Sequence, residues 1–132
     1  MSWAALITWI VTAGGGFLLL AIWLKNGGMQ QRESGRIRPA LILTHFALAA
    51  TGLVLWIVYV ASDSTTVAWI AFALLLVVAL IGFTMFGIWA ARSRRDERAA
   101  EHRFPVSVVG LHGLVAATTL VLVLLASAGV GS

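Results

Sequence analysis

The 132-residue chain contains no cysteine, which excludes disulfides, thiolate metal sites and cysteine nucleophiles. It is also poor in charge. Asp, Glu, Lys and Arg make up 11% of it, against about 25% in an ordinary soluble domain. The acidic residues are Glu33, Asp63, Asp96, Glu97 and Glu101, and none falls within a long apolar stretch. Acid–base chemistry by paired carboxylates inside such a stretch is therefore excluded. No glycine loop joins a strand pattern to a helix pattern, because Gly14-Gly15-Gly16 lies inside an apolar run, so a phosphate-cradling loop is excluded too. Proline occurs twice, at Pro39 and Pro105, each opening an apolar run where its missing N–H costs little.

What remains is apolar: 61% of the residues are hydrophobic. Four runs stand out, 3–24, 39–61, 66–91 and 104–128, each longer than the ~20 residues needed to cross the hydrocarbon of a bilayer. A soluble core of this size could not hide so much apolar surface. The expectation is an all-α, integral membrane, up-down four-helix bundle forming a single domain over residues 1–132. The connecting loops are 25–38, 62–65 and 92–103, the middle one short enough to make a tight hairpin of helices 2 and 3.

The formal charge is +4 and the pI about 11.2. In a soluble protein this would suggest nucleic acid. Here all nine basic residues fall in two short segments: Lys25, Arg32, Arg36 and Arg38, then Arg92, Arg94, Arg95, Arg98 and Arg103. That is the positive-inside pattern, which points to lipid headgroups and not nucleic acid. It sets both basic loops in the cytoplasm and both termini outside the inner (plasma) membrane. The first run has no basic segment before it and a Lys after it, so it reads as a retained helix and not a signal peptide. Trp3, Trp23, Trp56, Tyr59, Trp69 and Trp89 lie near run ends, as an interfacial aromatic belt would.

An internal repeat is visible. Gly16-Phe17 and Ile22-Trp23 recur as Gly82-Phe83 and Ile88-Trp89, an offset of 66 (82 − 16), and Pro39 and Pro105 share it. The chain reads as two tandem helical hairpins related by a pseudo-twofold axis along the membrane normal.

Ionisable groups within a membrane are expensive and mark function. His45 and His112 are the ones within the runs; His102 lies in the second basic loop and reads as solvated. Both run histidines fall roughly 10–13 Å below the cytoplasmic boundary, on helices pointing the same way. Helices 2 and 4 of an up-down bundle are diagonal, with axes about 13 Å apart. Two imidazoles cannot readily share a small ion across that gap, but as axial ligands of a haem iron they span it. Gly14, Gly15, Gly16 and Gly82 fall at the same level on the other diagonal, where they would make room for a flat ring. Ala49 and Gly52 follow His45, Gly110 and Gly113 flank His112, and Ala116 lies a turn beyond. Arg38 and Arg103 sit at the cytoplasmic mouth, where haem propionates need cations.

With histidines paired on helices 2 and 4 of a four-helix unit, the whole chain resembles the membrane cytochromes b and one half of a haem A synthase. The resemblance implies one haem b with His45 and His112 as axial ligands. It also implies electron transfer as a redox carrier or oxidoreductase subunit, not a stand-alone enzyme; the acidic motif associated with the synthase is absent. A quinone or a redox protein is the implied partner, and the chain could serve as a homo-oligomer or a subunit of a larger complex. One feature departs from the repeat: the histidines are 67 apart (112 − 45), where the prolines are 66 apart. Two other readings stand beside this one: a small transporter or proton-relay subunit using the histidines, and a structural or assembly subunit whose histidines bond only to protein groups.

Overall fold

The structure, a computed structural model, describes residues 1–32 and 36–131. It contains four long helices, α1 (Ser2–Lys25), α2 (Pro39–Ser62), α3 (Thr65–Ala91) and α4 (Val106–Ser127), and no strand among the described residues. All four are long and apolar enough to cross a membrane. A helix pairs its backbone polar groups internally, which is what an apolar solvent requires of such sequences. Single helical turns occupy Gly28–Gln30, Ser93–Arg95 and Ala100–Arg103 in the two basic loops.

The helix ends follow from local chemistry. α1 stops at Asn26, whose side-chain amide donates to the Ile22 carbonyl (2.7 Å), and Gly27 then turns the chain at φ +79°. α2 stops at Asp63, left-handed at φ +52°, with its N–H on the Tyr59 carbonyl (2.8 Å). Asp is among the few residues that tolerate this conformation, so the α2–α3 hairpin closes in two residues. Pro39 is the first residue of α2, as expected. Pro105 is not inside α4: it is the extended residue before it, and Phe104 lies outside the helix as well. The expected start of the fourth helix at 104 is thereby corrected to Val106. Proline at 105 fixes φ but, with ψ +127°, leaves the helix to begin one residue later.

α1 packs chiefly on α4 and α2 chiefly on α3, with lighter contacts of α3 to α4 and of α1 to α2. The tightest pairs therefore run between the two sequence hairpins rather than within them. α2 and α4 face each other across one diagonal, α1 and α3 across the other. The core fills the end where the termini meet: Ala5, Leu6 and Trp9 of α1, Trp56 of α2, Ala68, Ala71, Leu75 and Val78 of α3, and Val123 and Ala126 of α4. Trp56 donates its indole N–H to the Ser2 carbonyl there (3.2 Å). Outside the core the surface is apolar. Phe83, Leu114 and Leu111 are 69%, 67% and 61% exposed, part of a broad apolar surface.

Candidate functional site

His45 and His112 meet in the middle of the bundle, between the core and the basic loops. His45 is the seventh residue of α2 and His112 the seventh of α4. Each thus lies about 9 Å into its helix at 1.5 Å per residue. The one-residue departure from the repeat is resolved here: the helix starts are themselves 67 apart (106 − 39), because Pro105 is left outside α4 while Pro39 is inside α2. The two ring centroids are 6.5 Å apart, with planes inclined at 64°.

Each ring is held by the helix its own helix packs against. His112 Nδ1 lies 3.0 Å from the Thr12 carbonyl oxygen, and His45 Nδ1 lies 3.1 Å from the Val78 carbonyl oxygen. A carbonyl only accepts, so Nδ1 is the protonated nitrogen in both rings and Nε2 carries the lone pair. No other described hydrogen bond reaches either ring. Thr12 and Val78 are themselves 66 apart (78 − 12), the repeat offset. Thr12 also brings its hydroxyl within 3.3 Å of the Thr119 hydroxyl, one more tie between α1 and α4.

The glycines have a different task from the one the sequence suggests. A Cβ at Gly16 would lie 3.2 Å from His112 Cε1, and one at Gly82 would lie 3.3 Å from His45 Cε1; at Gly15 the nearest atom is His112 Nδ1 at 3.5 Å. Gly15, Gly16 and Gly82 therefore make room for the imidazoles themselves. Gly52 is buried against Trp9, whose ring would meet a Cβ at 3.0 Å, and Ala49 packs on the core. Both belong to the layer above the histidines. Gly14, Gly110 and Gly113 are exposed, with nothing within 4 Å of a Cβ, so Gly113 faces away from the site, contrary to expectation. Ala116 is half-buried, with no described contact to the histidines. Arg103 is exposed in its loop, and Arg38 lines a groove between α2 and α3; no described contact joins either to the histidines.

Below the histidines the basic loops are clasped together by Glu101, whose loop position in the sequence carried no sign of this role. Glu101 is fully buried. Its Oε1 accepts from the Ile37 N–H (2.6 Å) and the Ser93 hydroxyl (2.8 Å), and its Oε2 accepts from Gln31 Nε2 (2.8 Å). Gln31 in turn accepts from the Ala100 N–H (2.8 Å) and donates to the Ile37 carbonyl (3.1 Å). Trp89 donates its indole N–H to the Glu101 carbonyl (3.1 Å). A carboxylate among basic residues gives no hint in sequence that backbone and amide donors, not arginines, will hold it. At the rim, Arg36 pairs with Asp96 (2.8 Å), and the Arg36 hydrogen bond holds the Asp96 carboxyl below its usual range. His102, expected to be solvated, is half-buried, and its Nδ1 has no partner among the described residues.

Among the described residues no three of His, Cys, Asp and Glu are gathered around one point. The histidine pair offers two nitrogen donors and no third protein ligand. No family model, curated protein or solved structure matches the chain.

Proposed function

We propose that the chain is a membrane haem b protein, in which Nε2 of His45 and Nε2 of His112 hold one haem iron for electron transfer. The observation that carries this reading is the spacing of the two rings. A metal–imidazole bond is about 2 Å and the ring centre lies about 1 Å further on. Two imidazoles that held one metal between them would sit about 6 Å apart, close to the 6.5 Å between His45 and His112. The donor chemistry fits as well. Metal-ligating histidines commonly donate the other ring N–H to a carbonyl or carboxylate, and both rings donate to a backbone carbonyl. Two protein ligands suit a metal whose remaining ligands come with its own macrocycle.

A haem held by His45 and His112 would supply one-electron exchange. The chain's part is positioning. The Thr12 and Val78 carbonyls hold the tautomer and ring orientation, and Gly16 and Gly82 let the imidazoles come close to the neighbouring helices. Trp9 and Trp56 belong to the core on the terminal side of the histidines, and the Glu101 clasp ties the loops together on the other side. The matched pairs Thr12 with Val78, Gly16 with Gly82 and Trp23 with Trp89 support a pseudo-twofold axis that exchanges α1 with α3 and α2 with α4. The clustering of basic residues supports cytoplasmic loops in the inner membrane, with the termini outside. A single haem near that leaflet needs a quinone or a redox protein to complete its circuit. The transporter reading is weaker, since Glu101, the buried carboxylate, is consumed in the clasp and lies outside the helices.

The test is the visible spectrum of protein purified from haem-replete cells. A low-spin haem b spectrum is expected, lost in His45→Ala and in His112→Ala alike. Colourless wild-type protein, or a spectrum that survives both substitutions, would overturn the proposal.

A further inference from the structure

A second site lies on the outer surface of the bundle, toward the basic loops from the histidines. The groove between α2 and α3 at the basic end holds a cavity of about 640 Å³, lined by Arg36, Arg38, Leu41, Thr84, Gly87, Ile88, Ala91 and Arg92. Its two parts differ in chemistry. The apolar part is made by the half-buried Leu41 and Ile88, with Thr84, Gly87 and Ala91 exposed on the α3 face. Nothing lies within 4 Å of a Cβ built at Gly87, so the groove is open there. The rim is three guanidinium groups. Arg36 is held by Asp96, while Arg38 and Arg92 are exposed, and no described residue bonds to the side chain of either. Arg38 directly precedes α2 and Arg92 directly follows α3, so the cations mark the level where the apolar helices end.

We propose that this groove binds an anionic phospholipid, its phosphate on Arg38 and Arg92 and an acyl chain along the apolar part past Gly87. Guanidinium forks match phosphate oxygens in pairs. The height of the cations is that of headgroups, and a glycine leaves a channel in the α3 surface where any other residue would fill it. The proposal rests on the membrane reading of the chain and not on the haem.

The experiment uses the full chain in nanodiscs of phosphatidylcholine doped with phosphatidylglycerol, with co-retained lipid counted by native mass spectrometry. Wild type should retain phosphatidylglycerol in preference to phosphatidylcholine. One basic residue near a membrane surface is worth roughly a fivefold change in affinity, so Arg38→Gln with Arg92→Gln should weaken retention roughly 25-fold. Gly87→Phe, which keeps every charge, should also displace the lipid. Lys25→Gln, the same charge change at the end of α1, should leave retention within about twofold. Equal loss in Lys25→Gln would mean unspecific surface charge and overturn the site. So would retention that survives both the double arginine variant and Gly87→Phe. Displacement by millimolar inorganic phosphate with no lipid preference would assign the arginines to free phosphate and overturn the lipid. A chain that never enters nanodiscs overturns the membrane reading itself; one that enters but holds both lipids equally overturns the groove alone.

Discussion

Replacing Glu101 tests whether the loop clasp holds the histidine helices in register. The side chain is fully buried and accepts three hydrogen bonds, from the Ile37 N–H, the Ser93 hydroxyl and Gln31 Nε2. In Glu101→Gln the shape survives but one oxygen becomes an NH2 group. Placed toward Gln31 it meets another donor, and placed toward Ile37 it meets a backbone N–H. Gln31 cannot relieve this by turning over, because its own oxygen accepts from the Ala100 N–H. One hydrogen bond is lost in every arrangement, at a cost of about 1–2 kcal/mol. Glu101→Ala removes all three. The Ser93 hydroxyl can rotate and Gln31 keeps the Ile37 carbonyl, but the buried Ile37 N–H is left unpaired beside a cavity, for about 3–5 kcal/mol in total. The assay is reversible unfolding by SDS titration in mixed micelles, followed by circular dichroism. Ile37 lies two residues before α2, so Glu101→Ala should also hasten loss of the proposed haem from the wild-type histidine pair. A Glu101→Gln protein as stable as wild type, together with a Glu101→Ala protein no less stable than it, would refute this account of the clasp.

The glycines make a second test by contrast. Gly16→Ala and Gly82→Ala push a methyl to 3.2–3.3 Å from an imidazole carbon and should weaken haem retention by about five- to tenfold, whereas Gly14→Ala and Gly113→Ala enter open space and should not, as read by haem transfer to apomyoglobin. Gly28→Ala should destabilise the protein by about 1–3 kcal/mol or more, because its Cβ would fall 2.1 Å from the indole of Trp23, which is itself fully buried. Thermal unfolding measures this, and a Trp23→Leu background should absorb most of the loss. Asp96 sets a pH dependence. The Arg36 hydrogen bond lowers its pKa, so its stabilising contribution is full above the unfolded value near about pH 4 and is lost as pH falls through the folded value. Wild type and Asp96→Asn should therefore differ at pH 6 and converge in acid; a difference unchanged by acid would count against the pair.

Much of this molecule was legible in its residues because long apolar helices are written in a coarse code. Run length and charge placement set four helices to within two residues of where they lie, and the tight α2–α3 turn followed from its four-residue loop. The histidine pair was legible too, since imidazoles are conspicuous in apolar runs and equal depth is a matter of counting. The role of Gly16 and Gly82 was not. Small residues at one level are compatible with any flat partner, and only the packing of α4 on α1 and of α2 on α3 made that partner the imidazole. Gly113 was misjudged for the same reason: its neighbour His112 faces inward, and a rotation of about 100° per residue turns Gly113 outward.

The sequence by itself determined the number and length of the helices, their apolar surface, the basic end and the two imidazoles within the helices, because these depend on composition and on 1.5 Å per residue. Only the tertiary structure decided which helices pair, that Pro105 stays outside α4 so that the histidines come level, and that Glu101 is buried. Those depend on side chains meeting across 60 to 100 residues of chain, as Glu101 meets Ile37 and His112 meets Thr12. No local pattern encodes such meetings.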